Sequence, residues 1–254
     1  MDEDGAVVIF SGGQDSTTCL YWALERFPKE KILALSFDYG QRHAIELACG
    51  QQIAEAVGVE REVIQLGNVF EGTSPLVNSA EAVPVYENYH HLPKEREPEP
   101  TFVLGRNALF LSIAANRAAS RGYHYVVIGV SQADFGGYPD CRDMFLRQMQ
   151  KALNLGLGDT VEAIDIVAPL LKLTKAQTVR VAQDLPGCMA GLAFSHTCYQ
   201  GVFPPCGQCH ACLIRARGFS EAGVKDPLIT RVNDLARKPV EAEAAAAAGE
   251  EGGN

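Results

Sequence analysis

Residues Ala6 to Cys19 read A-V-V-I-F-S-G-G-Q-D-S-T-T-C. Val7, Val8 and Ile9 form a short β-branched run of the kind that makes a strand buried on both faces. The run ends in Ser11-Gly12-Gly13-Gln14-Asp15-Ser16, and a helical pattern starts at Thr17, with Leu20, Tyr21, Ala23 and Leu24 as apolar positions. Strand, glycine loop and helix start are the layout of a phosphate site. Two glycines let the backbone approach an anion closely, and the N–H groups of a helix start point at it. Ser11, Ser16 and Thr17 add hydroxyl donors. Asp15 is out of place beside phosphate unless it holds Mg²⁺ or braces the loop. A plain strand–turn–helix corner needs glycine too, but not chemically committed side chains around it.

The loop has no lysine, which excludes the G-x-x-x-x-G-K-S/T phosphate loop. Its glycines are adjacent, which excludes the dinucleotide pattern G-x-G-x-x-G. What remains, S-G-G-x-D-S, resembles the loop of ATP pyrophosphatases. These enzymes cleave ATP between its α and β phosphates and release pyrophosphate.

A chain of 254 residues, 47% hydrophobic, can bury the core of one large α/β domain with a small appendix. Much of the net charge of −9 sits at the ends, in Asp2, Glu3, Asp4, Glu241, Glu243, Glu250 and Glu251. The body is near neutral, so no global basic field marks a nucleic-acid binder. The start, M-D-E-D-G, is not a signal peptide. No apolar run approaches the ~18 residues of a membrane span. The eight cysteines are therefore read as cytoplasmic thiols, suited to metal binding or catalysis.

The pattern predicts a first strand at 6–10, a helix at 15–27, a second strand at 32–37, a helix at 44–57 capped by Gly58, and a third strand at 62–66. This βαβαβ rhythm implies a doubly wound parallel sheet with right-handed crossovers. Ligands then sit beyond the carboxyl ends of strands, where segments 11–16 and 38–43 both fall. Asp38 suits a ligand contact or a turn equally. Residues 67–100 hold five prolines and read as an active-site lid. Asn107 is a good N-cap for a helix that Ala108 to Ala115 make apolar nearly all round. Arg106 lies just before that start, where it doubles the pull on an anion. A fourth strand spans 125–130. The polar stretch 131–142 after it offers Phe135 and Tyr138 to stack on a flat base, and Asp140 to pair with its N–H edge. A helix at 142–155 and a strand at 161–168 follow. Thr174-Lys175-Ala176-Gln177 fits a capping box. Lys175 in a first helical turn opposes the dipole, so it is either simply exposed or close to an anion.

After Gly187 the rhythm breaks. Cys198, Cys206, Cys209 and Cys212 are spaced C-x7-C-x2-C-x2-C. Two C-x2-C steps and a fourth thiolate describe a closed structural zinc site, with an iron–sulfur cluster as the alternative. His196 and His210 are spare ligands. Cys19 and Cys49 read as core residues, and Cys141 and Cys188 lack partners at metal spacing. The domains are thus 1–185 for the α/β unit, 186–238 for the metal-binding region, and 239–254 for a disordered acidic tail.

Together, F-S-G-G-Q-D-S-T-T-C-L, F-D-Y-G-Q-R-H, T-F-V-L-G-R-N, D-F-G-G-Y-P-D-C-R-D and T-C-Y-Q-G…C-G-Q-C-H-A-C resemble the 7-cyano-7-deazaguanine synthase family of queuosine biosynthesis. The resemblance spans roughly residues 6–230; Leu104 and Ser131 stand where proline and cysteine are more usual. It implies an adenine-nucleotide α-hydrolase-like fold and a C–N bond-forming ligase using ATP and Mg²⁺, with one structural Zn²⁺. The substrate would be 7-carboxy-7-deazaguanine, adenylylated on its carboxylate, converted by free ammonia to an amide, then dehydrated to the nitrile with a second ATP. The implied ATP segment is Phe10, Ser11, Gly12, Gly13, Gln14, Asp15, Ser16, Thr17, Thr18, Cys19 and Leu20. Asp15, Ser16, Arg106 and Lys175 would serve the chemistry, and Phe135, Tyr138, Asp140 and Arg142 the base. Partners would be small molecules and a second copy in a homodimer, without nucleic acid or membrane. The competing readings are a tRNA-modifying ATP pyrophosphatase, which needs a basic surface, a relative that transfers the deazaguanine to a protein, and a zinc module without catalysis, which leaves the ATP loop unexplained.

Overall fold

The computed structural model describes residues 4–93, 99–131 and 137–237. Among them five parallel strands form one sheet: β1 (Ala6–Ile9), β2 (Ile32–Asp38), β3 (Glu60–Gln65), β4 (Tyr125–Ile128) and β5 (Asp165–Val167). Their order is β3-β2-β1-β4-β5. The helices are α1 (Gln14–Leu24), α2 (Ile45–Val57), α3 (Arg106–Arg121), α4 (Asp143–Leu157), α5 (Lys175–Asp184), α6 (Cys188–Leu192) and α7 (His210–Ala222), with α8 over 227–237. The chain winds outward through β2 and β3, then starts again beside β1 with β4. This reversal leaves a crevice at the carboxyl ends of β1 and β4, the usual ligand seat of a doubly wound sheet.

Strands β1 and β2 are buried along both faces, which is why they read as unbroken apolar runs. Val7, Ile9, Leu33 and Leu35 pack against α3 and α4 on one side. Ala6, Val8, Phe10 and Ala34 face the other side, in one cluster with Leu20 of α1, Val179 of α5, Leu192 of α6 and Phe219 of α7. The segment after 186 thus shares the core of the sheet.

Several predicted boundaries move, three of them for a visible physical reason. Helix α1 stops at Leu24, where the amides of Arg26 and Phe27 turn back to the Ala23 carbonyl. Strand β5 is only three residues long. The Asn154 side chain takes both the N–H and the C=O of Ile164, so the ladder starts after it. Helix α3 starts at Arg106, two residues earlier than expected, because Gly105 caps it at φ 71°. Asn107 is therefore inside the helix, and its side chain donates to the Asp140 carbonyl. The capping box of α5 forms as predicted, with Thr174 and Gln177 bonding reciprocally. The tail 239–254 lies outside the described residues.

Candidate active site

The phosphate loop sits at the carboxyl end of β1. Gly12 has φ +91°, and a Cβ there would stand 2.4 Å from the Glu46 carbonyl of α2. Only glycine lets α2 pack so closely. Gly129, just past β4, plays the same part below: its Cβ would meet the Ser16 amide at 2.9 Å. The Ser16 hydroxyl accepts from the amides of Ser11 and Gly12, both at 3.2 Å, and donates to the Gly13 carbonyl. The amide of Gly13 donates to the Ser11 hydroxyl. Gly13 is the N-cap of α1 and carries no capping side chain. The start of α1, without a side-chain cap, thus lines the crevice, as an anion site requires.

The crevice is lined by Phe10, Ser11, Gly13, Gln14, Asp15 and Ser16 from the loop, and by Arg106, Tyr138 and Lys175 from other elements. Lys175 Nζ meets the two Asp15 carboxylate oxygens at 2.9 and 2.7 Å. The anion that Lys175 meets at the start of α5 is therefore Asp15. Arg106 reaches toward the Tyr39 hydroxyl at 3.5 Å and, among the described residues, forms no ion pair. A cation inside a crevice without a carboxylate partner is a place for an anionic ligand.

Tyr138 hydrogen-bonds Thr101 at 2.6 Å and stacks on Phe102, with ring centroids 5.2 Å apart. Burial and the nearby Glu99 raise its hydroxyl above the usual phenol range. Thr17, Thr18, Cys19 and Leu20 lie below the loop, buried within α1, and do not line the crevice. Asp140 is buried behind the wall, where it accepts from the Asn107 amide at 3.4 Å; Arg142 is exposed at the N-cap of α4. Phe135 lies outside the described residues. Asp38 accepts from the Gly40 amide, as a turn residue does. Burial pushes the Cys141 thiol up to about 12, which disfavours its thiolate.

The sulfurs of Cys198, Cys206, Cys209 and Cys212 lie within 4.8 Å of one another. The amide of Cys209 donates to the Cys206 sulfur at 3.3 Å, and that of Cys206 to the Cys198 sulfur at 3.4 Å. Such N–H···S bonds favour thiolates. Four converging soft donors suit a tetrahedral thiophilic metal. All eight cysteines are free of disulfides.

A family model described as Queuosine biosynthesis protein QueC matches residues 5–223. The chain belongs to the QueC family. The match runs from β1 and its loop through the four cysteines. Among curated relatives, the 7-cyano-7-deazaguanine synthase of Chromobacterium violaceum is 46% identical over 231 residues, covering 90% of this chain and 94% of that protein. Its counterpart in Laribacter hongkongensis is 48% identical over 236 residues, covering 91% and 96%. A distant likeness among solved structures is the U34-tRNA thiolase NcsA from Methanococcus maripaludis, described with its 4Fe-4S cluster. It is 13% identical, with a TM-score of 0.44, covering 93% of this chain and 73% of that one.

The crevice of this QueC chain also holds residues to which the sequence assigns no catalytic role. Tyr39 and His43 of the expected ligand segment 38–43 line it, with Glu46 from α2, and Thr197, Tyr199 and His210 from the cysteine region. Burial, with Arg106 adding to it, holds the His43 imidazole down at about 3. Glu46 is buried in the first turn of α2, and burial lifts its carboxyl to about 8. The signal available for Glu46 was its place one turn after the polar segment 38–43. A glutamate in a first helical turn is so common that it drew no notice.

Proposed function

We propose that this QueC-family chain converts 7-carboxy-7-deazaguanine and ammonia to 7-cyano-7-deazaguanine, with two ATP yielding AMP and pyrophosphate. The observation that carries this is one crevice holding both the open N-terminus of α1 and the unpaired cation of Arg106. An ATP tail and an anionic substrate fit there side by side. The substrate carboxylate attacks the α-phosphorus and pyrophosphate leaves against the amides of Gln14, Asp15 and Ser16. Donors fixed before the charge arrives need no reorganisation as it moves. Arg106 holds the substrate carboxylate, and Lys175, seated on Asp15, neutralises the leaving phosphates. Tyr138 supports the base, and Asp140 steadies that wall through the Asn107 amide. Mg²⁺ accompanying ATP would be met by Asp15. Cys198, Cys206, Cys209 and Cys212 would hold Zn²⁺, which supplies a rigid brace with no open position for chemistry.

The free cysteines and near-neutral body fit a cytoplasmic enzyme of small molecules, working as a homodimer. No described helix is long and apolar enough to cross a membrane. The test is mass spectrometry of products after incubation with ATP, ammonium and the carboxy-deazaguanine. The expected result is the nitrile with two AMP per product. Pyrophosphate release without any deazaguanine product would overturn the reading.

A further inference from the structure

The proposed reaction must dispose of protons. At neutral pH ammonia is mostly ammonium, whose nitrogen carries four hydrogens; nitrile nitrogen carries none. Both carboxylate oxygens leave on AMP, so no water forms to carry hydrogens away. Something in the crevice must accept them.

Most bases there are unsuited. Asp15 is engaged by Lys175 at 2.7 Å. His43 is buried and neutral, held at about 3 by burial and by the cation Arg106. Glu46 is different. It is 8% exposed, lines the crevice, and forms no ion pair among the described residues. It shares the crevice wall with Ser11 of the phosphate loop and with Arg106, both of which favour its charged form. Those two residues bracket the reaction: one end holds the triphosphate, the other the substrate carboxylate. The close fit of Gly12 against the Glu46 main-chain carbonyl fixes this turn of α2 relative to the loop.

We propose, resting on the function above, that Glu46 is the general base that takes protons from the reacting nitrogen. A carboxylate oxygen of Glu46 removes a proton from ammonium. The freed lone pair forms the C–N bond to the acyl carbon, and the C–O bond to AMP breaks with its electrons going to AMP. The carboxylate, having passed its proton to solvent, takes the second proton from the new ammonium centre and leaves the amide. In the second half, the amide oxygen bonds the α-phosphorus of another ATP and pyrophosphate leaves. Loss of the last two N–H protons lets nitrogen complete the triple bond as the second AMP departs. Burial sets the carboxyl at about 8, suited to passing a proton from ammonium to water. The groups that face it are Ser11 from the loop, Tyr39 beside β2, Cys49 within α2, Arg106 from α3 and Cys198 from the cysteine region.

The test uses Glu46→Gln and Glu46→Asp in the full chain. Exchange of labelled pyrophosphate into ATP, with the carboxylate substrate and no ammonium, reports adenylation alone. Amide formation is then followed with ammonium and with hydroxylamine, which is largely uncharged at neutral pH. The expected result for Glu46→Gln is exchange within about tenfold of native and ammonium-dependent amide formation down roughly 10²- to 10⁴-fold. Hydroxylamine should restore most of that loss, and Glu46→Asp should keep part of the ammonium reaction. Native-like use of ammonium by Glu46→Gln would overturn the proposal, as would equal loss of exchange and of both nucleophiles. Absence of exchange in the native chain would instead overturn the function on which it rests.

Discussion

Glu46→Gln should make the fold more stable, and more so as pH rises. The carboxyl's ordinary value is 4.5, and burial carries it to about 8 in the fold, against the opposing pull of Ser11 and Arg106. Between those values the folded chain keeps a proton that the unfolded chain has released. Stability from this group is thus fully present below pH 4.5 and is lost as pH rises through about 8. At pH 7 the loss is on the order of 3 kcal/mol, from about 1.4 kcal/mol for each pH unit above the unfolded value. Glutamine has the same shape and never ionises. For a chain of this size, 3 kcal/mol corresponds to roughly 6–12 °C in Tm. The assay is thermal or urea unfolding of both chains, followed by circular dichroism from pH 5 to pH 8.5. The variant's advantage should be small at pH 5, grow through pH 7, and level off above pH 8. A difference that ignores pH, or a variant that loses ground as pH rises, would refute the reasoning.

Arg106→Ala removes the crevice's unpaired cation. A hydrogen bond to a charged group is worth about 1.5–3 kcal/mol, so KM for the carboxylate substrate should rise roughly 10- to 150-fold. The uncharged amide intermediate, supplied as substrate, should lose far less in steady-state kinetics; equal losses would move Arg106 to the phosphates. Cys209→Ser breaks the four-thiolate set. Metal content by plasma emission spectrometry should fall from one zinc per chain, and Tm should drop by several degrees; iron and sulfide in the native chain would replace zinc as the metal.

The sheet, the loop and the cysteine cluster were legible because each rests on a local rule. Val7 to Ile9 is apolar without alternation because β1 is covered on both faces. Ser11 to Ser16 needs its glycines for contacts that the fold makes with them. C-x2-C spacing places sulfurs together by turn geometry alone. The substrate wall was less legible because it is assembled from afar. Asp140 was read as facing a base, yet it turns back to cap Asn107, whose own capping role Gly105 had taken. Glu46 falls outside every motif, and the motif that ends in His43 does not show its burial; their environment comes from Arg106 and Cys198, far along the chain. Burial by distant residues leaves no trace in a local pattern.

That same long-range assembly ties the cysteine cluster to catalysis. Val85 bridges Cys209, and the Tyr86 amide donates to the Gln208 carbonyl, so the loop after β3 hangs on the knuckle. The loop's far end carries Glu99 and Thr101, which hold the Tyr138 hydroxyl. On the other side, the His196 amide donates to the Gly12 carbonyl at 3.0 Å, which fixes the phosphate loop from outside. Helix α7 begins immediately after Cys209 and packs so tightly on α5 that a Cβ at Gly218 would sit 2.3 Å from Lys175. A metal held by the four sulfurs would therefore constrain three parts of the crevice together: the loop's edge, the lysine that pairs with Asp15, and the tyrosine wall. A brace with no open coordination position can still set reaction geometry, because small displacements of charged groups at such a site are costly in rate.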